Sequence, residues 1–275
     1  MENIIMNNLT KTLVAGSVLM TAAAFSNQAS AVIVDGVDLG SGTITMQDIS
    51  RESIVTTTGN TLYGVGHITA INNNISFAPG VELNFIYTAT VAFDNGAIIV
   101  FSPGVSLQFF VDASGAYTNA LAAGSPLAAQ AAISGGGATD FLDFSSVTVP
   151  TLAPYNVSGA PTTGGYFGTG TDLAGSAPSG NGVGYFNVVA GGLGVANSYL
   201  ATQAELFNGT TPYDFLFTST FSVPGTNPVV LPIQDASTFT GSVSSVDEPD
   251  TLALLGLGLL ATVLGARRRQ SATLS

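Results

Sequence analysis

Residues 82–93, ELNFIYTATVAF, alternate in a way that fixes their structure. Leu83, Phe85, Tyr87, Ala89, Val91 and Phe93 fall on one face, and Asn84, Thr88 and Thr90 on the other. Period two with β-branched and aromatic side chains is the pattern of a half-buried strand; Ile86 and Ala92 are the exceptions. Asp94-Asn95-Gly96 follows as a turn signal, with Gly96 free to take positive φ. AIIVF then runs into Ser102-Pro103-Gly104, and VSLQFFV repeats the alternation with Val105, Leu107, Phe109 and Val111. The three segments predict a meander of three strands joined by tight turns.

The same reading places strands at 43–49, 62–71, 141–149, 183–190, 213–223 and 237–243, and short helices at 116–124 and 198–207, where Leu200, Ala204 and Phe207 share a face. Residues 150–182 are rich in Gly, Pro, Ser and Thr and read as a long loop or insertion. No repeat of fixed period is present. The pattern predicts an all-β domain over residues 32–246, an antiparallel sandwich or barrel-like fold with a Gly/Ser/Thr-rich insertion. Thr218, Ser219, Thr220 and Ser222 are expected on its outer face.

Composition changes the picture in two ways. Charged residues are only 8% of the chain against 46% hydrophobic, so the expected surface is one of hydroxyls and amides. The net charge is −12, and Arg51 is the only basic side chain between Lys11 and Arg267. That excludes nucleic-acid binding, which draws its affinity from clustered Lys and Arg, and disfavours bare anionic lipid. With no Cys there is no disulfide, thiolate metal site or cysteine nucleophile.

The two ends depart from the β pattern. Residues 1–31 read as an export signal peptide: Lys11 precedes the apolar run Leu13–Phe25, and Ala29 and Ala31 supply the small residues of a signal peptidase site. At the other end, residues 247–275 hold Asp247-Glu248-Pro249, an uncharged Leu/Gly-rich run from Leu252 to Ala266, and the cluster Arg267, Arg268 and Arg269. As a helix the run would be about 22 Å long, short for a permanent span, with the arginines holding the cytoplasmic side.

Acidic-Pro motif, hydrophobic helix and terminal Arg cluster, in that order, resemble the PEP-CTERM sorting signal. Asp247 stands where the signal has its first Pro, and six further residues follow the arginines. The resemblance implies processing by an exosortase and a place in the envelope or extracellular matrix of a biofilm-forming bacterium. It further implies association with exopolysaccharide, and the body is compared with the flocculation-associated branch.

Catalytic chemistry has little to stand on. His67 is the sole His and sits mid-strand, where a structural role is expected. Two-carboxylate glycoside chemistry is formally open, but no pair stands out. Loop acids Asp94, Asp112, Asp140 and Asp143 offer oxygen ligands for Ca²⁺, with turn formation as the plainer reading. The expectation is a non-enzymatic exported adhesion protein; a secreted carbohydrate-active enzyme and a permanently membrane-anchored binding module are the alternatives.

Overall fold

A computed structural model describes residues 31–244, apart from 75–76, 114, 153–154, 174, 204 and 225–229. The expected signal peptide with Ala29, and the tail with Asp247–Pro249 and Arg267–Arg269, lie outside the described residues; Ala31 is the first described and is exposed.

In chain order the strands are β1 (Ile33–Val34), β2 (Val37–Asp38), β3 (Gly42–Glu52), β4 (Thr61–Ile71), β5 (Val81–Asp94), β6 (Ile98–Phe101), β7 (Ser106–Ala113), β8 (Thr139–Ser146), β9 (Val149–Pro150), β10 (Thr163–Gly164), β11 (Tyr166–Thr171), β12 (Ser179–Val188), β13 (Glu205–Phe207), β14 (Thr211–Tyr213), β15 (Phe215–Ser222) and β16 (Ile233–Val243). Three helices, α1 (Ala116–Leu121), α2 (Pro126–Ser134) and α3 (Asn197–Leu200), interrupt them. Among the described residues no helix is long and apolar enough to cross a membrane.

β5, β4, β3, β16, β15, β12, β8 and β7 close into a ring, each antiparallel to its neighbour. β6 and β11 make a second bridge between the later half of β5 and the earlier half of β12. The wall is therefore eight strands round at both rims, filled on one side by β7–β8 and on the other by β6–β11. Eight tilted strands leave an interior that side chains fill. Closure also removes the unpaired edges that a sandwich would have to protect.

The interior is aromatic toward the rim where β16 ends. Phe85, Phe109, Phe144, Phe215 and Phe239 are fully buried there, with Phe109 and Phe239 edge-on at 5.5 Å and Phe144 and Phe215 at 4.9 Å. Two glycines make room for two of the rings. An added Cβ at Gly64 or Gly66 would come within 2.0 Å of the Tyr87 or Phe85 ring, so β4 must present bare backbone where β5 lays its aromatics down.

Outside the barrel, α1 and α2 cover β4 and β5 and bury Val65, Phe110, Ala120, Ala129 and Ile133. Ser125 caps α2 by accepting from the Ala128 amide at 3.1 Å, with Pro126 at the first helical position. Gln130 of α2 donates to the Gly64 and Tyr87 carbonyls at 3.3 and 2.8 Å. This explains why Asn84, expected on the solvent face, is wholly buried.

Several expectations change. The meander is not formed: β7 pairs with β5, not with β6. Fourteen residues let β5 serve two partners along one edge, and β6 stops at the Ser102-Pro103-Gly104 turn, where Pro cannot donate to a ladder. The expected helix 198–207 is only α3, and Glu205–Phe207 instead forms a hairpin with β14. Stretch 150–182 holds β11, a wall strand, within its loops. Ser219 points inward and is buried, whereas Thr218, Thr220 and Ser222 are exposed.

Candidate functional site

Inside the barrel, toward the rim where β16 begins, the lining turns polar. Ile44 and Met46 of β3 are followed in phase by Asp48, Ser50 and Glu52, all buried. β16 continues the same face with Asp235 and Ser237, set opposite Ser50 and Asp48, and Ser219 of β15 lies opposite Ser237. Tyr87 of β5 and Tyr166 of β11 complete the group from across the barrel. Tyr87 donates its hydroxyl to Glu52 Oε1, and Ser237 donates to Asp48 Oδ2. The Tyr166 hydroxyl meets Ser219 Oγ at 3.0 Å.

Three carboxyl groups thus share a space without a cation. Asp48 Oδ1 has no hydrogen-bond partner, and Asp235 is met only loosely, by the Ser219 hydroxyl and the Thr220 amide. Burial pushes Asp48 up from 3.8 to about 7; its bond from Ser237 lowers it, and the Glu52 charge adds to the rise. Burial pushes Glu52 from 4.5 to about 7 against the bond from Tyr87. Asp235 is raised well above 3.8 by burial and then by the charges of Glu52 and Asp48. Desolvation also holds the Tyr87 and Tyr166 phenols well above 10. These acids hold their protons to a higher pH than ordinary carboxyls because charging them here costs more than in water. Cavities of about 20 and 30 Å³, both lined by Glu52, Leu62 and Tyr166, each admit a water molecule but not a sugar ring. Chemically the group is a proton store closed off from large substrates.

The four acids expected as calcium ligands are spread around the barrel. Asp94 ends β5, where its Oδ1 accepts from the Gly96 amide at 2.7 Å, tightening the expected turn. Asp112 stands opposite Glu82 in the β5–β7 ladder. Only Asp140 and Asp143 come close to each other, both on β8; burial and then the Asp143 charge raise Asp140 above 3.8. Asp143 is taken up by a clamp: its side chain accepts from the Gly194 amide at 3.2 Å, from Gln108 Nε2 at 3.3 Å and from Asn197 Nδ2 at 3.4 Å. Among the described residues no three His, Asp or Glu side chains are placed to hold a metal.

His67 Nδ1 bonds to Asn84 Oδ1 at 2.8 Å, and Asn84 Nδ2 donates to Glu82 at 3.3 Å. Because Asn84 offers its oxygen, Nδ1 carries the imidazole proton. The ring stacks on Tyr117 of α1 at 5.7 Å.

No carboxylate pair stands out in the sequence by type or spacing, and the three interior acids come together only when the barrel closes. The signal was present: Asp48 and Glu52 share the parity of Ile44 and Met46, and Asp235 that of Phe239 and Val243.

Neither the curated proteins nor the solved structures contain a match to this chain. Residues 248–269 match the PEP-CTERM protein-sorting motif, from Glu248 through the apolar run to the last arginine. That match implies export, exosortase processing and an envelope or extracellular destination. The chain carries a PEP-CTERM protein-sorting motif at its C-terminal end.

Proposed function

We propose that this is a non-enzymatic cell-surface or extracellular-matrix protein, exported, sorted by an exosortase and associated with exopolysaccharide in biofilms or flocs. The sorting-motif match over residues 248–269 carries the reading. The barrel supplies what such a protein needs. Its wall from β3 through β16 to β15 exposes Thr43, Gln47, Gln234, Thr218, Thr220 and Ser222, in adjacent registers. Hydroxyls and amides on a rigid wall make many weak hydrogen bonds to sugars without the nonspecific collapse an apolar face invites. The acidic surface would bind anionic polysaccharide or sister copies through bridging Ca²⁺, with Asp94, Asp112 and Asp140 as the partly exposed carboxylates.

The test is association of the purified barrel with exopolysaccharide from the producing cells, with and without millimolar Ca²⁺. Co-sedimentation that EGTA reverses is the expected result. Release of reducing sugar at catalytic rates, lost on changing one carboxylate, would replace this reading with a carbohydrate-active enzyme.

A further inference from the structure

Both ends of the barrel chain leave from one rim. β16 ends at Val243, and Ser244 is fastened there, its amide and hydroxyl both donating to the Tyr199 carbonyl at 2.8 and 2.7 Å. The hairpin β1–β2 packs on the same rim: Asn72 Nδ2 donates to the Leu39 carbonyl at 3.4 Å, and Gly36 lies against Ala78 and Val81 at the start of β5. Residues 245–251 separate Ser244 from the apolar run that begins at Leu252. At no more than ~3.5 Å per residue, that link reaches about 28 Å.

The same rim exposes apolar side chains. Leu193 is 85% exposed, Ile33 67%, Val195 41% and Val189 39%. Three of these lie on the loop 189–196, VAGGLGVA, which is rigidly built. Its ends are tied by the Val189 amide to the Asp143 carbonyl at 2.9 Å and the Ala196 amide to the Phe141 carbonyl at 2.8 Å. Asn197 locks the middle, accepting from the Asp143 amide at 3.0 Å and donating to the Val189 carbonyl at 3.1 Å. The clamp dictates the glycines: an added Cβ at Gly192 would stand 2.6 Å from Asp143 Oδ2, and at Gly194 2.5 Å from Asn197 Oδ1. It does not dictate Leu193, whose side chain touches little and which any polar residue could replace. Single exposed apolar residues are ordinary; their gathering on the rim from which the tail departs is not.

We infer that this rim is a membrane-contact surface, with Leu193, flanked by Val189 and Val195, seated in the interfacial layer of the bilayer that holds the precursor's tail. The inference rests on the reading of Leu252–Ala266 as a membrane segment. A tether of about 28 Å keeps the rim within reach of the headgroups, and a stiff apolar tip there gives the anchored barrel one orientation. The rim's charges are acidic: Asp35 and Asp38 are exposed, and Asp112 and Asp140, the latter beside Val195, are partly so. Arg51, the only basic residue in the barrel chain apart from His67, lies near the opposite end of β3. The surface therefore suits zwitterionic lipid rather than anionic lipid.

The chain has no Trp, so a single introduced indole reports its own depth. Full-length L193W and T57W, the second on the exposed β3–β4 loop at the opposite rim, would be reconstituted into phosphatidylcholine vesicles with or without brominated acyl chains. Both variants are expected to float with the vesicles and to melt like the parent chain. L193W is expected to be blue-shifted and at least twofold quenched by the brominated lipid, and T57W unaffected. Flotation with L193W as unquenched as T57W overturns the membrane-contact rim alone. Failure of either chain to float removes the membrane-segment reading first, and the inference with it.

Discussion

Asp48 gives the sharpest test of the barrel interior. In the folded chain its carboxyl is raised from 3.8 to about 7, chiefly by burial. Between those values the folded state binds a proton that the unfolded state has released. Stability from this group is therefore full below about pH 4 and declines as pH rises, until it is lost near pH 7. About three pH units at ~1.4 kcal/mol each amount to about 4 kcal/mol. Glu52 and Asp235 are raised in the same direction, so the whole chain should weaken from pH 4.5 to 8.5. Asp48→Asn isolates one group while keeping an acceptor for Ser237. At pH 8.5 the variant should be more stable than the parent by about 2–4 kcal/mol, the lower figure allowing for an amide NH₂ that gains no clear acceptor. At pH 4.5 the two should agree to within about 1 kcal/mol, the early ionisation of the unfolded Asp and the cost of the amide NH₂ acting in opposite directions. Urea titrations followed by far-UV circular dichroism would read this as a midpoint 1–2 M higher for the variant at pH 8.5 only, given a slope of roughly 2 kcal/mol per molar. Equal midpoints at pH 8.5, or a parent chain that stabilises as pH rises without the variant doing better, would refute the proton-store argument.

Further consequences can be measured on the same protein. Gly64→Ala drives a methyl into the Tyr87 ring and should cost about 3 kcal/mol or more in urea unfolding. Asn197→Ala leaves the buried Asp143 amide without its acceptor; a loss of about 2–3 kcal/mol is expected, with faster amide exchange confined first to residues 189–196. Glu248→Ala removes the acid of the sorting motif. It should leave the barrel's melting temperature unchanged while full-length chain accumulates in the membrane fraction of an exosortase-producing host.

How far the sequence could be read depended on whether the deciding contact was local. The alternation of β5 from Leu83 to Val91 and the Asp94-Asn95-Gly96 turn are local, and both stand in the structure; a bulge after Val91 shifts Phe93 out of the interior to pack with Val100 and Phe167. The pairing of β7 with β5 is not: it depends on β6 turning away to meet β11, and nothing in the spacing of the three segments records that. Tertiary pairing also overrode the helical pattern of 198–207, since Leu206 and Phe207 complete a hairpin with β14. Stretch 150–182 looked structureless because β11 reads YFGTGT, with glycines where side chains would reveal a strand. Gly168 and Gly170 sit there because the adjoining strands crowd them: an added Cβ would stand 2.7 Å from the Ile99 Cγ2 methyl at Gly168 and 2.0 Å from the Ser179 carbonyl oxygen at Gly170. The tail was legible outright, because a sorting signal is a linear pattern that needs no fold to be read.

The central claim, delivery by a processed tail, is tested most directly by the intact mass of the protein recovered from cells and from the surrounding medium. The account predicts a cell-associated precursor that retains Arg267–Arg269, and a surface or medium species ending between Asp247 and Asp250. Only full-length chain in every fraction of an exosortase-producing host would contradict it.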